Sequence, residues 1–185
     1  PRDEAHFPTR RSCDLDRLSK IIQRVRTYAK RQHHEVKQEN LSEIVDRALV
    51  SFRRSSLSSG VDVEVKAPGK ADALADALEL ELLIVNLLKN AAAASKDSRE
   101  KLISVQLSEE ANEWLLSVSD HGQVISEKLL SRLSHPAKSF SDGLGLGLSI
   151  CRLIAENHGG KLTFKPNNSK GLIVTLHLPK TNKEI

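Results

Sequence analysis

The chain has 185 residues, with 28 basic and 24 acidic side chains, a net charge of +4, 39% apolar residues and 3% aromatic residues. That length leaves room for one well-packed domain of about 150 residues plus an appendage. No apolar run approaches the roughly 18 residues of a membrane-spanning helix, and the amino end lacks the order of a signal peptide. Cys13 and Cys151 are too few and too far apart for a metal cluster or redox pair, and read as reduced thiols of a cytoplasmic protein. Methionine is absent even at position 1, so the expectation is a piece of a longer chain, with any membrane or sensing part upstream.

The first segment is basic, from Arg2, Arg10 and Arg11 to Lys30 and Arg31, yet no aromatic residues interleave with the charges. A solvated helix face is therefore preferred to a nucleic-acid footprint. Leu15, Leu18, Ile22, Val25 and Ala29 recur at spacings of 3 and 4 after Asp14, the seam of a helix in a coiled coil or four-helix bundle. One seam is not buried alone, so residues 1–33 imply a partner helix and a homodimer. Residues 34–40 read as a polar linker, and Asn40 is placed to cap a helix from Leu41 to about Ser55.

Residues 41–185 then change period repeatedly, as an α/β domain does. Val61, Val63 and Val65 alternate as in a strand, Pro68-Gly69 is a turn, and Ala71 to Ala75 is a short second strand. Leu78 to Ala94 is a long apolar helix. Leu102 to Leu107 and Trp114 to Ser119 form a hairpin across the polar Ser108 to Glu113 loop. Leu148 to His158 is helical and ends at Gly159-Gly160, where a left-handed cap suits glycine. Leu162 to Phe164 and Leu172 to Leu178 form a second hairpin. Without a regular βαβ rhythm, the expected fold is α+β, a two-layer sandwich with helices on one face of a mixed sheet.

Three motifs carry chemistry. Asn86 and Asn90 stand at i and i+4 of a helix, roughly 5–6 Å apart on one face, and offer neutral oxygen ligands to a divalent cation. Ser119-Asp120-His121-Gly122 ends a strand, where a carboxylate can accept the amino hydrogen of adenine and glycine bares the backbone. Gly143, Leu144, Gly145, Leu146, Gly147 and Leu148 open a helix whose amide groups and positive end suit phosphate. The P-loop and dinucleotide fingerprints are absent. The order of the three motifs points to a magnesium–nucleotide site.

In these motifs the chain resembles the catalytic, ATP-binding domain of bacterial sensor histidine kinases, which share a Bergerat-type fold with type II topoisomerases and mismatch-repair ATPases. Asp76 to Ser95 looks like the family's asparagine box, Ser119 to Gly122 like its first glycine box, and Gly143 to Phe164 like its second with the following helix and strand. Leu15 to Gln32 resembles the second helix of the dimerisation and phosphoacceptor hairpin. The resemblance implies ATP and Mg²⁺ as cofactors, Asn90 on the metal, Asn86 supporting metal or phosphates, Asp120 and Gly122 on adenine, and the glycine run as a lid over the triphosphate. It implies relay of phosphate from histidine to a response-regulator receiver domain, a homodimer formed through the amino-terminal helix, and no contact of this segment with nucleic acid or membrane.

Departures from the pattern are also legible. Val124 stands where the family usually has a second glycine, which predicts a tighter adenine pocket, and the family's segment before the lid is barely recognisable in Leu133 to Ser141. His34-Glu35-Val36-Lys37 superficially echoes the acceptor motif but lacks its proline, follows the second-helix pattern, and lies only 52 residues before Asn86. The acceptor is therefore expected upstream of Pro1. Related ATPases carry a water-activating glutamate where this chain has Asn86, which favours transfer to histidine over hydrolysis. An ATP-binding serine kinase acting on an anti-sigma partner and a degenerate dimerisation module are the alternatives.

Overall fold

The computed structural model describes residues 35–134, 146–168 and 170–180. The bundle helix expected over 15–32, Cys13, His34, positions 135–141 of the segment before the lid and the glycines 143 and 145 with Leu144 lie outside the described residues.

The apolar periods alternate between 2 and 3.6, and the chain builds a five-stranded sheet under helices together with a small two-stranded one. Strand β1 (Lys37–Asn40) leads into helix α1 (Leu41–Arg53). A 3₁₀ turn at Ser56–Ser58 precedes β2 (Asp62–Lys66), β3 (Asp72–Ala75) and the long helix α2 (Ala77–Ala94). Hairpin β4 (Leu102–Glu109) and β5 (Glu113–Asp120), helix α3 (Glu127–Ser134), helix α4 (Leu146–Asn157) and hairpin β6 (Lys161–Pro166) and β7 (Leu172–Pro179) complete the order.

Five strands pair in the order β2-β4-β5-β7-β6, with β2 parallel to β4 and the remaining pairs antiparallel, so the sheet is mixed as expected. Along β5 the side chains Trp114, Leu116 and Val118 are buried while Leu115, Ser117 and Ser119 are half-buried, the alternation of a sheet covered on one face. Helices α1, α2 and α4 pack side by side in the other layer. Helix α2 buries Leu80, Leu83, Ile84, Leu87 and Leu88 at 2% exposure or less, each contributing about 1.5–3 kcal/mol. A helix so apolar is a core element, which explains why so little of its circumference is polar.

Helices α1 and α2 start on side-chain caps. The Asn40 side chain accepts from the Ser42 amide at 3.1 Å, as its position predicted, and also holds the Ala71 amide at 3.2 Å. Asp76, which the sequence reading passed over, accepts from the amides of Leu78 and Glu79 at 3.0 and 3.1 Å. His158, 2% exposed, accepts the Asp76 N–H on Nε2 at 3.0 Å and donates from Nδ1 to the Ile154 carbonyl at 2.8 Å. One imidazole thus joins the end of α4 to the cap of α2.

Several expected boundaries move. Residues 37–40, read as the end of a linker, are strand β1, paired antiparallel with β3 in a separate two-stranded sheet. The linker reading failed because a four-residue edge strand of polar side chains has no apolar alternation to reveal it. The β4–β5 turn is confined to Glu110–Asn112, shorter than the loop expected over 108–113, and helix α3 was not anticipated. Gly159 adopts φ +65° after α4, the left-handed cap expected there.

Candidate nucleotide site

The site forms where the carboxyl end of α2 passes over the end of β5. Because Asp120 continues the Trp114, Leu116, Val118 alternation, its carboxylate points to the helix-covered face and is 5% exposed. Oδ1 accepts from the Gly122 amide at 2.8 Å. Burial raises the Asp120 pKa above the ordinary carboxylate range, while hydrogen bonds from the backbone of Gly122 and Leu172 and the proximity of His121 partly oppose the shift.

Gly122 is sterically obligatory. A Cβ there would lie 2.8 Å from both the Ala94 carbonyl oxygen and Asp120 Oδ1. The carbonyl is backbone at the end of α2, so the helix or the strand end would have to shift. This close approach joins the first glycine motif to the asparagine helix.

Above Asp120 opens a cavity of about 340 Å³, whose walls include Asn90, Ala93 and Ala94 of α2, Asp120, Ile125, Leu148 of α4 and Leu172 of β7. That volume and its apolar lining around one buried carboxylate suit a planar heterocycle. Asn90 is exposed to the cavity, whereas Asn86 is half-buried and donates from Nδ2 to the Leu82 carbonyl at 2.9 Å. That bond fixes the amide and leaves Oδ1 outward. Gly147, the last glycine of the run, stands against both: a Cβ on it would be 3.6 Å from Asn86 Oδ1 and 3.8 Å from the Asn90 amide atoms. A methyl would fit, so the glycine is not required by sterics there; a larger side chain would cover the asparagine oxygens.

The structure therefore brings Asn86, Asn90, Asp120, Gly122, Gly147 and Leu148 together. Leu146 begins α4, its side chain lying outside the described residues. Val124 is 70% exposed and does not line the cavity, so the tightening predicted for it does not occur. Sequence reasoning missed the β6–β7 turn, which braces the backbone of Asp120 and Gln123 beside the cavity. Gly171 adopts φ +87°, and any Cβ on it would collide with the Asp120 carbonyl. Its amide donates to the Gln123 carbonyl at 3.1 Å, and Asn167 Nδ2 donates to the Asp120 carbonyl at 2.8 Å. A glycine at the end of an Asn-rich turn was a usable signal, but it read as simple hairpin chemistry.

A buried carboxylate at a strand end, a glycine held against a helix terminus, and paired helix amides facing a glycine-opened second helix define a nucleotide-binding α/β sandwich of the Bergerat type. Residues 75–182 match the family described as histidine kinase-, DNA gyrase B-, and HSP90-like ATPase, and the chain belongs to that family. It is 29% identical over 172 residues to the sensor protein TdiS of Thauera aromatica, covering 89% of this chain and 31% of TdiS. It is 30% identical over 167 residues to the C4-dicarboxylate transport sensor protein DctB of Rhizobium meliloti (strain 1021), covering 89% of this chain and 27% of DctB. The chain thus spans about a third or less of these two relatives. Among solved structures, the nucleotide-free catalytic domain of histidine kinase ThkA superposes with a TM-score of 0.69 at 26% identity, over 80% of this chain and 99% of that one. ThkA in complex with the response regulator protein TrrA superposes with a TM-score of 0.72 at 25% identity, over 97% of this chain and 53% of that one.

Proposed function

We propose that this chain is the ATP-binding catalytic portion of a sensor histidine kinase, and that the whole protein phosphorylates a histidine and passes the phosphate to a response regulator. The observation that carries the reading is the cavity lined by the buried Asp120, Asn90 and Leu148, with Gly122 packed against Asp120 and Gly147 against the Asn86–Asn90 pair. Adenine would lie on the Asp120 carboxylate, with the phosphates running along α2 toward the start of α4. No group of three or more His, Cys, Asp or Glu gathers among the described residues. A Mg²⁺ ion would accordingly be held by the Asn90 amide oxygen, with Asn86 beside it, and by the phosphates themselves, which suits a hard, reluctantly dehydrated cation.

Bound Mg²⁺ would neutralise charge on the transferring phosphate. The chain's own groups do the rest: Asp120 selects and orients the base, Gly122 lets it approach the backbone, and α4 aims its amino end at the phosphates. Asn86 cannot take a proton, so water gains no general base at the position where related ATPases carry glutamate. A neutral imidazole needs none, since its nitrogen is already nucleophilic. This supports a kinase over a hydrolase. The exposure of Val124 removes one reason for reading the site as degenerate.

Residues 1–33 fit one helix of a dimeric four-helix bundle, 34–36 a short connection and 37–185 the catalytic domain. The dimer, the receiver-domain partner and a cytoplasmic location of this segment belong to the same proposal. It is tested by incubating the full-length protein with radiolabelled ATP and Mg²⁺: acid-labile label is expected, lost in Asn90→Ala. Residues 1–185 alone should take up little label. Strong label on them that disappears in His34→Gln would make His34 the acceptor and overturn the placement of the acceptor upstream.

A further inference from the structure

Behind the wall that Asp120 shares with the β6–β7 turn lies a second groove, of about 530 Å³, lined by Ser98, Arg99, Glu100, His121, Asn167, Asn168 and Lys170. Three loops meet there: the one after α2, the end of β5 and the β6–β7 turn. Its lining is more polar than that of the first cavity, and every lining residue carries a polar or charged side chain. Its shape is held by backbone-directed bonds, since Ser98 Oγ donates to the His121 carbonyl at 2.7 Å and the Lys170 amide donates to the Asn167 carbonyl at 2.9 Å. His121 Nδ1 lies 3.1 Å from the Leu102 carbonyl. A carbonyl only accepts, so Nδ1 carries the proton and Nε2 is left for another partner.

The charge of the groove is positive. Arg99 and Lys170 form no ion pair among the described residues, and Glu100 is the one carboxylate in the lining. Glu100 is exposed and free to turn to solvent. A planar guanidinium, an ammonium and an imidazole around a polar hollow of small-molecule size match phosphate oxygens.

We infer that this groove binds a compact polyanion bearing at least two phosphate-type charges, separately from the nucleotide cavity. Asn167 connects the two sites. Its backbone shapes the groove, while its Nδ2 holds the carbonyl of Asp120, whose carboxylate faces the other cavity. Occupancy of the groove therefore biases the position of Asp120, and a ligand there changes affinity for adenine and is itself affected in return. This coupling, unlike the anion site, rests on the adenine reading of the first cavity.

The probe is inorganic pyrophosphate, followed by amide chemical shifts of the ¹⁵N-labelled chain. Saturable shifts are expected at Ser98, His121, Asn168 and Lys170, weakening with added salt, and the affinity should fall about tenfold or more in Arg99→Ala/Lys170→Ala. Shifts confined to the surroundings of Asn90 and Gly147, or unchanged affinity in the double variant, would overturn the anion site. Adenosine, which has no phosphate to compete, reads the coupling: its affinity should change when pyrophosphate is present, and not in the double variant. Pyrophosphate binding with no effect on adenosine binding would leave the anion site standing and refute the coupling. Failure of adenosine to bind at all would instead refute the adenine reading.

Discussion

Replacing Asp120 by asparagine separates what its carboxylate costs the fold from what it does for a ligand. Burial raises the Asp120 pKa, so ionising it in the folded chain is less favourable than in the unfolded one. A group with a raised folded pKa favours the fold while protonated, below its unfolded value, and that advantage is lost as pH rises through the folded value. Asp120→Asn is uncharged throughout, so its stability relative to the parent should improve as pH climbs from below 4 to neutrality. The improvement is limited, because a neutral amide accepts from the Gly122 and Leu172 backbones more weakly than a carboxylate and offers one oxygen in place of two. Removing one such bond costs about 0.5–1.5 kcal/mol, so the net change at neutral pH should be small. Ligand affinity should move much further. An amide turned to keep the Gly122 bond places an NH₂ against the amino group of adenine, at a cost of roughly 1–3 kcal/mol, or a loss of about 5- to 150-fold in affinity. Thermal unfolding followed by the fluorescence of Trp114, 5% exposed and the chain's one tryptophan, gives the first quantity across pH. Calorimetric titration with Mg²⁺-ADP gives the second, and discrimination against GDP should shrink with it. Unchanged ADP affinity and selectivity in a variant of parent-like stability would refute the placement of adenine on Asp120.

Asn90→Ala should remove nearly all of the Mg²⁺-dependent part of nucleotide binding, seen as equal affinities with and without the ion. Gly122→Ala forces a Cβ to 2.8 Å from the Ala94 carbonyl; overpacking of this kind costs about 1–3 kcal/mol, so melting should fall and Mg²⁺-ADP binding should weaken at least tenfold. Gly171→Ala combines a positive φ with a clash on the Asp120 carbonyl, and should weaken adenosine binding although residue 171 touches no phosphate. Asn86→Glu supplies a carboxylate one helical turn before Asn90, and phosphate-release assays of the full-length protein should show faster hydrolysis with less label on histidine.

What was legible in the sequence were the long-period elements and the motifs that sit on them. The apolar run from Leu78 to Ala94 admits no reading but a buried helix, and β5 carries its alternation openly up to Asp120. Both therefore brought Asn90 and Asp120 to the lining of one cavity. Strand β1 was not legible, because Lys37-Gln38-Glu39-Asn40 is polar throughout and is held in place by pairing with β3 rather than by its own pattern. Helix α3 was hidden in a stretch where only Leu133 is buried. Gly171 and Asn167 belong to a turn like any other in sequence; their contact with Asp120 spans about fifty positions and exists only once β5 and β7 pair. Val124 shows the opposite error, since a missing family glycine implied crowding at a side chain that points to solvent.

The most direct measurement is a crystal structure of the chain with Mg²⁺-ADP. The account requires the amino group of adenine within hydrogen-bonding distance of an Asp120 oxygen, the ring over Gly122 between Ile125 and Leu172, and Mg²⁺ on Asn90 Oδ1 with the phosphates directed to the start of α4 at Gly147. A nucleotide seated elsewhere, or a base in this cavity with no contact to Asp120, would contradict it.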